Sequence, residues 1–112
     1  MPERRYRVVW AGAATHDLEE IVEHIAAESP VNARSVLRRI SDRAAALEVS
    51  PGRGRVVPEL AGFGINNFRE IVVRPYRLMY RVDGHTVSVL AVFDGRRDIE
   101  DVLLARLVRV RP

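Results

Sequence analysis

Residues 68–97 read FREIVVRPYRLMYRVDGHTVSVLAVFDGRR, and this stretch decides the fold. Three apolar runs, 68–73, 76–82 and 86–93, are parted by Arg74-Pro75 and by Asp83-Gly84. β-Branched and aromatic residues fill the runs and turn residues separate them, so the spacing predicts an antiparallel meander. Asp-Gly is a strong hairpin signal, because glycine supplies the positive φ that a two-residue turn requires. Alternation along the middle run puts Tyr76, Leu78, Tyr80 and Val82 on one face and Arg77, Met79 and Arg81 on the other. The first set suits a face covered by helices, so Arg77 and Arg81 are expected on an open face. The competing reading pairs Arg69 or Arg77 across strands with Glu59, Glu70 or Asp94.

Upstream, residues 6–10 form a short apolar run, expected as a first strand. A helix opens at Gly12 or Thr15, with Leu18, Ile21, Val22 and Ile25 on one stripe. Ser29 then serves as an N-cap and Pro30 as the first residue of a second helix. Ala33, Val36, Leu37, Ile40, Ala44 and Leu47 form its apolar stripe, and Ser50-Pro51-Gly52 stops it. Residues 55–60 read as a short edge strand, since Pro58 bars a central place. Asp98 is expected to cap a last helix over 99 to about 107. The predicted fold is α+β: N-terminal strand, αα-hairpin, antiparallel three- to four-stranded meander and short C-terminal helix. One domain over residues 1–112 is expected.

All 18 basic residues are arginine, against 15 acidic residues. A GC-rich coding sequence gives such a set, but arginine also supplies the planar fork that grips phosphate and carboxylate. Three arginines face six acids over 1–28, six face two over 29–58, and nine face seven over 59–112. The basic character therefore lies beyond the first helix, and Arg106, Arg109 and Arg111 make a basic tail. Arg55, Arg69, Arg77, Arg81, Arg96, Arg97, Arg106 and Arg109 are the candidate contacts for an anionic or macromolecular partner. With no cysteine, disulfides and thiolate metal sites are excluded. No apolar run reaches the roughly 20 residues that span a bilayer. Nothing after Met1-Pro2-Glu3-Arg4-Arg5 resembles a signal peptide, so the cytosol is the expected compartment. Gly52-Arg53-Gly54 follows a helix rather than a strand, which argues against a dinucleotide loop. Neither a metal nor a cofactor is expected, and no serine sits in a nucleophile's setting.

Taken in order, these landmarks resemble the ParE/RelE superfamily, the toxins of bacterial type II toxin–antitoxin modules. The resemblance rests on Val9-Trp10, Asp17-Leu18-Glu19-Glu20-Ile21, Ser29-Pro30 with Ala33, and the segment from Pro51-Gly52-Arg53-Gly54 to Pro58-Glu59-Leu60. It continues through Arg69-Glu70-Ile71, Tyr76-Arg77-Leu78-Met79-Tyr80 and Gly95-Arg96-Arg97-Asp98. It implies a compact toxin neutralised by a cognate antitoxin in a hetero-oligomer. RelE-like members cut mRNA on the ribosome, using basic side chains to stabilise phosphoryl charge and an acid–base partner. ParE-like members poison DNA gyrase without that catalytic set. Arg77 and Arg97 fall on arginines that the RNases use, with Glu70 or Asp94 as possible partners. The RNase tyrosine of the last helix falls on Leu103, and the alternative His or Tyr position falls at Phe93-Asp94. The resemblance therefore implies a ParE-like gyrase inhibitor with no catalytic residues, and a ribosome-dependent mRNA endoribonuclease as the alternative.

Overall fold

A computed structural model describes residues 5–109, apart from the side chains of residues 104, 105 and 107–109. At its centre lies the expected meander. Strands β3 (Arg69–Val73), β4 (Tyr76–Asp83) and β5 (Thr86–Asp94) pair antiparallel in sequence order. The second turn falls on Gly84-His85, one residue later than the Asp-Gly pattern suggested, with Gly84 at φ +58°. Two further strands complete a five-stranded sheet in the order β1-β5-β4-β3-β2. β1 (Arg7–Trp10) runs parallel to β5, and β2 (Arg55–Val56) lies antiparallel to β3 on the opposite edge.

Between β1 and β2 stand α1 (Gly12–Ala26) and α2 (Pro30–Ala45), the αα-hairpin. Ser29 Oγ accepts the Asn32 N–H at 3.2 Å, which caps α2, and Pro30 needs no partner at the first helical position. Two 3₁₀ turns at Ala46–Glu48 and Pro51–Arg53 carry the chain to β2. The expected edge strand over 55–60 is corrected here. Only Arg55–Val56 pair, and Pro58 opens the short helix α3 (Pro58–Ala61). A fixed φ and a missing N–H suit that position better than a ladder. After β5, the Asp98 carboxylate accepts the Glu100 N–H at 2.9 Å and starts α4 (Ile99–Arg109), two residues longer than expected.

The sheet is covered on both faces, which corrects the expectation of an open one. The larger core lies under α1 and α2, where Ala14, Val36, Ile40 and Leu47 meet Leu78, Tyr80, Val87 and Val89. On the other face Val57, Met79, Ala91, Phe93, Ile99 and Val102 form a second cluster under α4 and the β2–α3 segment. Alternation along β4 holds, but its Arg77–Met79 face is interior. In β5, Leu90 is an extra residue, since Met79 pairs Ala91 while Tyr80 pairs Val89. This bulge moves Ala91 and Phe93 to the second core and Val92 to the first.

One tyrosine stitches the loop before β2 to the sheet. The fully buried Tyr80 hydroxyl donates to Pro51 O at 2.6 Å and accepts the Gly54 N–H at 3.0 Å. A Cβ on Gly54 would sit 2.5 Å from both Glu70 O and Tyr80 Oη. One atom in contact is backbone and the other is held at both ends, so neither gives way. Gly54→Ala should destabilise the domain by about 2–4 kcal/mol in urea denaturation. A change below about 0.5 kcal/mol would show that the loop moves freely away from the sheet.

Candidate functional site

Glu70 of β3 and Arg77 of β4 point into the second core, where Glu70 is 1% exposed and Arg77 7%. Arg77 Nε donates to Glu70 Oε1 at 2.7 Å. Its Nη1 and Nη2 each donate to the Glu59 carboxylate at 2.7 Å, a fork-on-fork pair. Arg55 Nε reaches the far oxygen of Glu70 at 2.6 Å. The Arg77 guanidinium also lies 5.2 Å from the centre of the Phe93 ring. A chain of four charges, Arg55–Glu70–Arg77–Glu59, thus ties β2, β3, β4 and α3 together. Hydrogen bonding to Glu59 raises the Arg77 pKa, and the Arg77 fork lowers that of Glu59. Such pairing is what allows a guanidinium to be buried at all.

The other expected arginines are mostly engaged in the same way. Arg69 Nη1 donates to Gly54 O at 2.8 Å, and Arg81 Nε to Asp83 at 2.8 Å. Arg96 binds Asp94 through both backbone and side chain, which pulls the Asp94 pKa down to about 2. Arg106, expected in a free tail, instead reaches Asp17 of α1. The Asp17 carboxylate also accepts the Val92 N–H at 3.1 Å, on the β5 edge past the end of β1. The side chain of Arg109 lies outside the described residues.

Arg97 is different. It is exposed at the turn after β5 and has no side-chain hydrogen bond or ion pair among the described residues. It borders a cleft of about 410 Å³ between α1 and the ends of β4 and β5, with Asp17, Glu20, His24, Tyr76 and Asp94. Arg77 and Glu70 are not in this cleft, so the two arginines paired by sequence do not converge on one pocket. Sequence reading missed Asp17, Glu20, His24 and Tyr76 as its walls. On this face of α1, His16 and Glu20 form an i, i+4 ion pair at 2.8 Å. Leu103, on the RNase tyrosine's position, packs half-buried against the second core. Among the described residues, no group of three or more His, Asp or Glu is placed to hold a metal ion, and no helix is long and apolar enough to cross a membrane.

This geometry accords with what the chain is similar to. The family model of the ParE toxin of the type II toxin–antitoxin system, parDE, matches residues 8–99. The chain belongs to that family. Among solved structures it is similar to a chain of the chromosomal ParDE system of P. aeruginosa, at 20% identity and a TM-score of 0.67, covering 81% of this chain and 97% of that one. It is also similar to a chain of the RelBE2 toxin–antitoxin complex of Mycobacterium tuberculosis, at 24% identity and a TM-score of 0.59, covering 83% and 94%. At these identities the two structures establish the fold. No curated protein matches the chain.

Removing Arg77 leaves the buried Glu70 with only the exposed Arg55 as a cationic partner. Arg77→Ala should therefore cost about 3–5 kcal/mol, against about 1 kcal/mol or less for the part-exposed Glu59→Gln. The Glu59 pKa is lowered on folding, so its contribution is present above the usual carboxylate value and fades as pH falls below it. Urea midpoints from pH 7 to 3 should drop less steeply for Glu59→Gln than for wild type. Parallel curves would mean that the fork adds nothing to acid stability.

Proposed function

We propose that this toxin inhibits DNA gyrase and is neutralised by a cognate antitoxin with which it forms a hetero-oligomer. The state of Arg77 carries this reading. A guanidinium gripped by two carboxylates and covered by Phe93 has little positive field left for a scissile phosphate. Leu103 offers no proton where a RelE-like RNase has its tyrosine. An inhibitor needs neither group, since it acts by occupying a surface. The antitoxin is supported by the two similar structures, which come from toxin–antitoxin systems. Phe63, 79% exposed, is an aromatic side chain of the type enriched in such interfaces.

One observation favours the second reading, mRNA cleavage. Unpaired Arg97 shares its cleft with His24, Glu20 and Asp94, groups that can move a proton. Purified protein tested on gyrase supercoiling and on ribosome-bound mRNA separates the two. The expected result is inhibited supercoiling, relieved by antitoxin, with no cleavage. Cleavage that Arg97→Ala or His24→Ala abolishes, with supercoiling untouched, would reverse the assignment.

A further inference from the structure

Most arginines of the sheet are neutralised internally, yet one region keeps its charge. Two shallow depressions meet at Val72 and Arg74, near the β3–β4 turn. Arg39 and Arg43 of α2 line one, and Arg55 and Arg96, each held by a carboxylate of Glu70 or Asp94, line the other, with Arg74 between them. Asp42 is the sole acid among the residues lining the two. Arg43 and Arg74 have no side-chain hydrogen bond or ion pair among the described residues, and Arg39 donates only to Arg74 O, at 3.1 Å. That bond ties α2 to the turn, so the cations from the two elements keep a fixed spacing. Arg39 and Arg43 lie four residues apart and so share one helical face.

We propose that this arginine tract docks on the phosphate backbone of a nucleic-acid duplex. Guanidinium forks match phosphate oxygens two at a time, and a row of them positions a protein on a duplex without reading its sequence. The shape favours a duplex over the alternatives. No aromatic side chain lines either depression, so unstacked bases of a single strand find no platform. An acidic protein segment would need deep apolar anchors, and the lining offers only Val72, Val73 and Pro75 beside the charges. The inference is independent of the choice between gyrase and ribosome.

Fluorescence anisotropy with a labelled DNA duplex tests it, comparing Arg43→Glu/Arg74→Glu with Arg34→Glu/Arg38→Glu. The second pair changes net charge equally at exposed positions outside the tract. The first pair should weaken binding at least about tenfold and flatten the salt dependence by about two in log–log slope. The control pair should weaken it less than about threefold. Circular dichroism should show both pairs folded. Equal loss in the two pairs, or no duplex binding by wild type at low salt, would overturn the proposal. So would wild-type binding to a polyaspartate peptide in preference to the duplex.

Discussion

The Arg77 guanidinium, held between Glu70 and Glu59, is the interaction on which the second half of the fold depends. Its partners come from β3 and α3, and Glu70 in turn holds Arg55 of β2. Water is excluded on one side by Phe93 and the α4 residues Ile99 and Val102. A cation and a carboxylate taken this far from solvent lose several kcal/mol of hydration each, and only well-formed hydrogen bonds offset the loss. The arrangement also fixes register. Glu70 pairs Met79 and Val72 pairs Arg77, so the two charges sit diagonally across one face. A slip of one residue would turn Glu70 toward the apolar core under α1 and α2.

That structural demand shapes the functional surface. An arginine committed to the interior is not offered to a partner, and Arg69, Arg81, Arg96 and Arg106 are likewise engaged. Arg97 on one side and Arg39, Arg43 and Arg74 on another have no carboxylate partner among the described residues. On the reading proposed above, a ParE-family toxin built this way acts through docking surfaces. The Asp94–Arg96 clamp contributes by holding the turn from which Arg97 projects.

Local chemistry explains what the sequence made legible. Ser29-Pro30, the apolar stripes of α1 and α2, and the alternation of β4 each depend on near neighbours, and they appear where their spacing puts them, except that Leu37 of the α2 stripe is exposed. The parallel pairing of β1 with β5 joins residues nearly eighty positions apart, and nothing in either run encodes it. The faces of β4 were read correctly, but Arg69, Ile71 and Val73 of β3 share the Leu78–Tyr80 face and not that of Arg77, and whether a face is covered depends on where α4 returns. For the same reason Arg77 was expected on an open face, although the competing reading, which pairs it with Glu59 and Glu70, is the one the structure shows. Its partners lie 7 and 18 residues away, and Glu59 gets there only because Pro58 begins a helix instead of prolonging a strand. Asp17 takes its role from distant elements, the β5 edge and Arg106 of α4, which nothing in its own helix encodes.

The central claim is that the Arg77 network is structural and that toxicity needs no chemistry from it. Replacing the buried pair together, as Arg77→Met/Glu70→Leu, removes both charges and leaves neither stranded, an exchange that interiors tolerate. The decisive measurement is inhibition of gyrase supercoiling by this double variant, once its thermal unfolding shows a folded domain. The account predicts inhibition within about threefold of wild type. A folded double variant whose inhibition has fallen more than about tenfold would contradict it, because Arg77 would then act on the target itself.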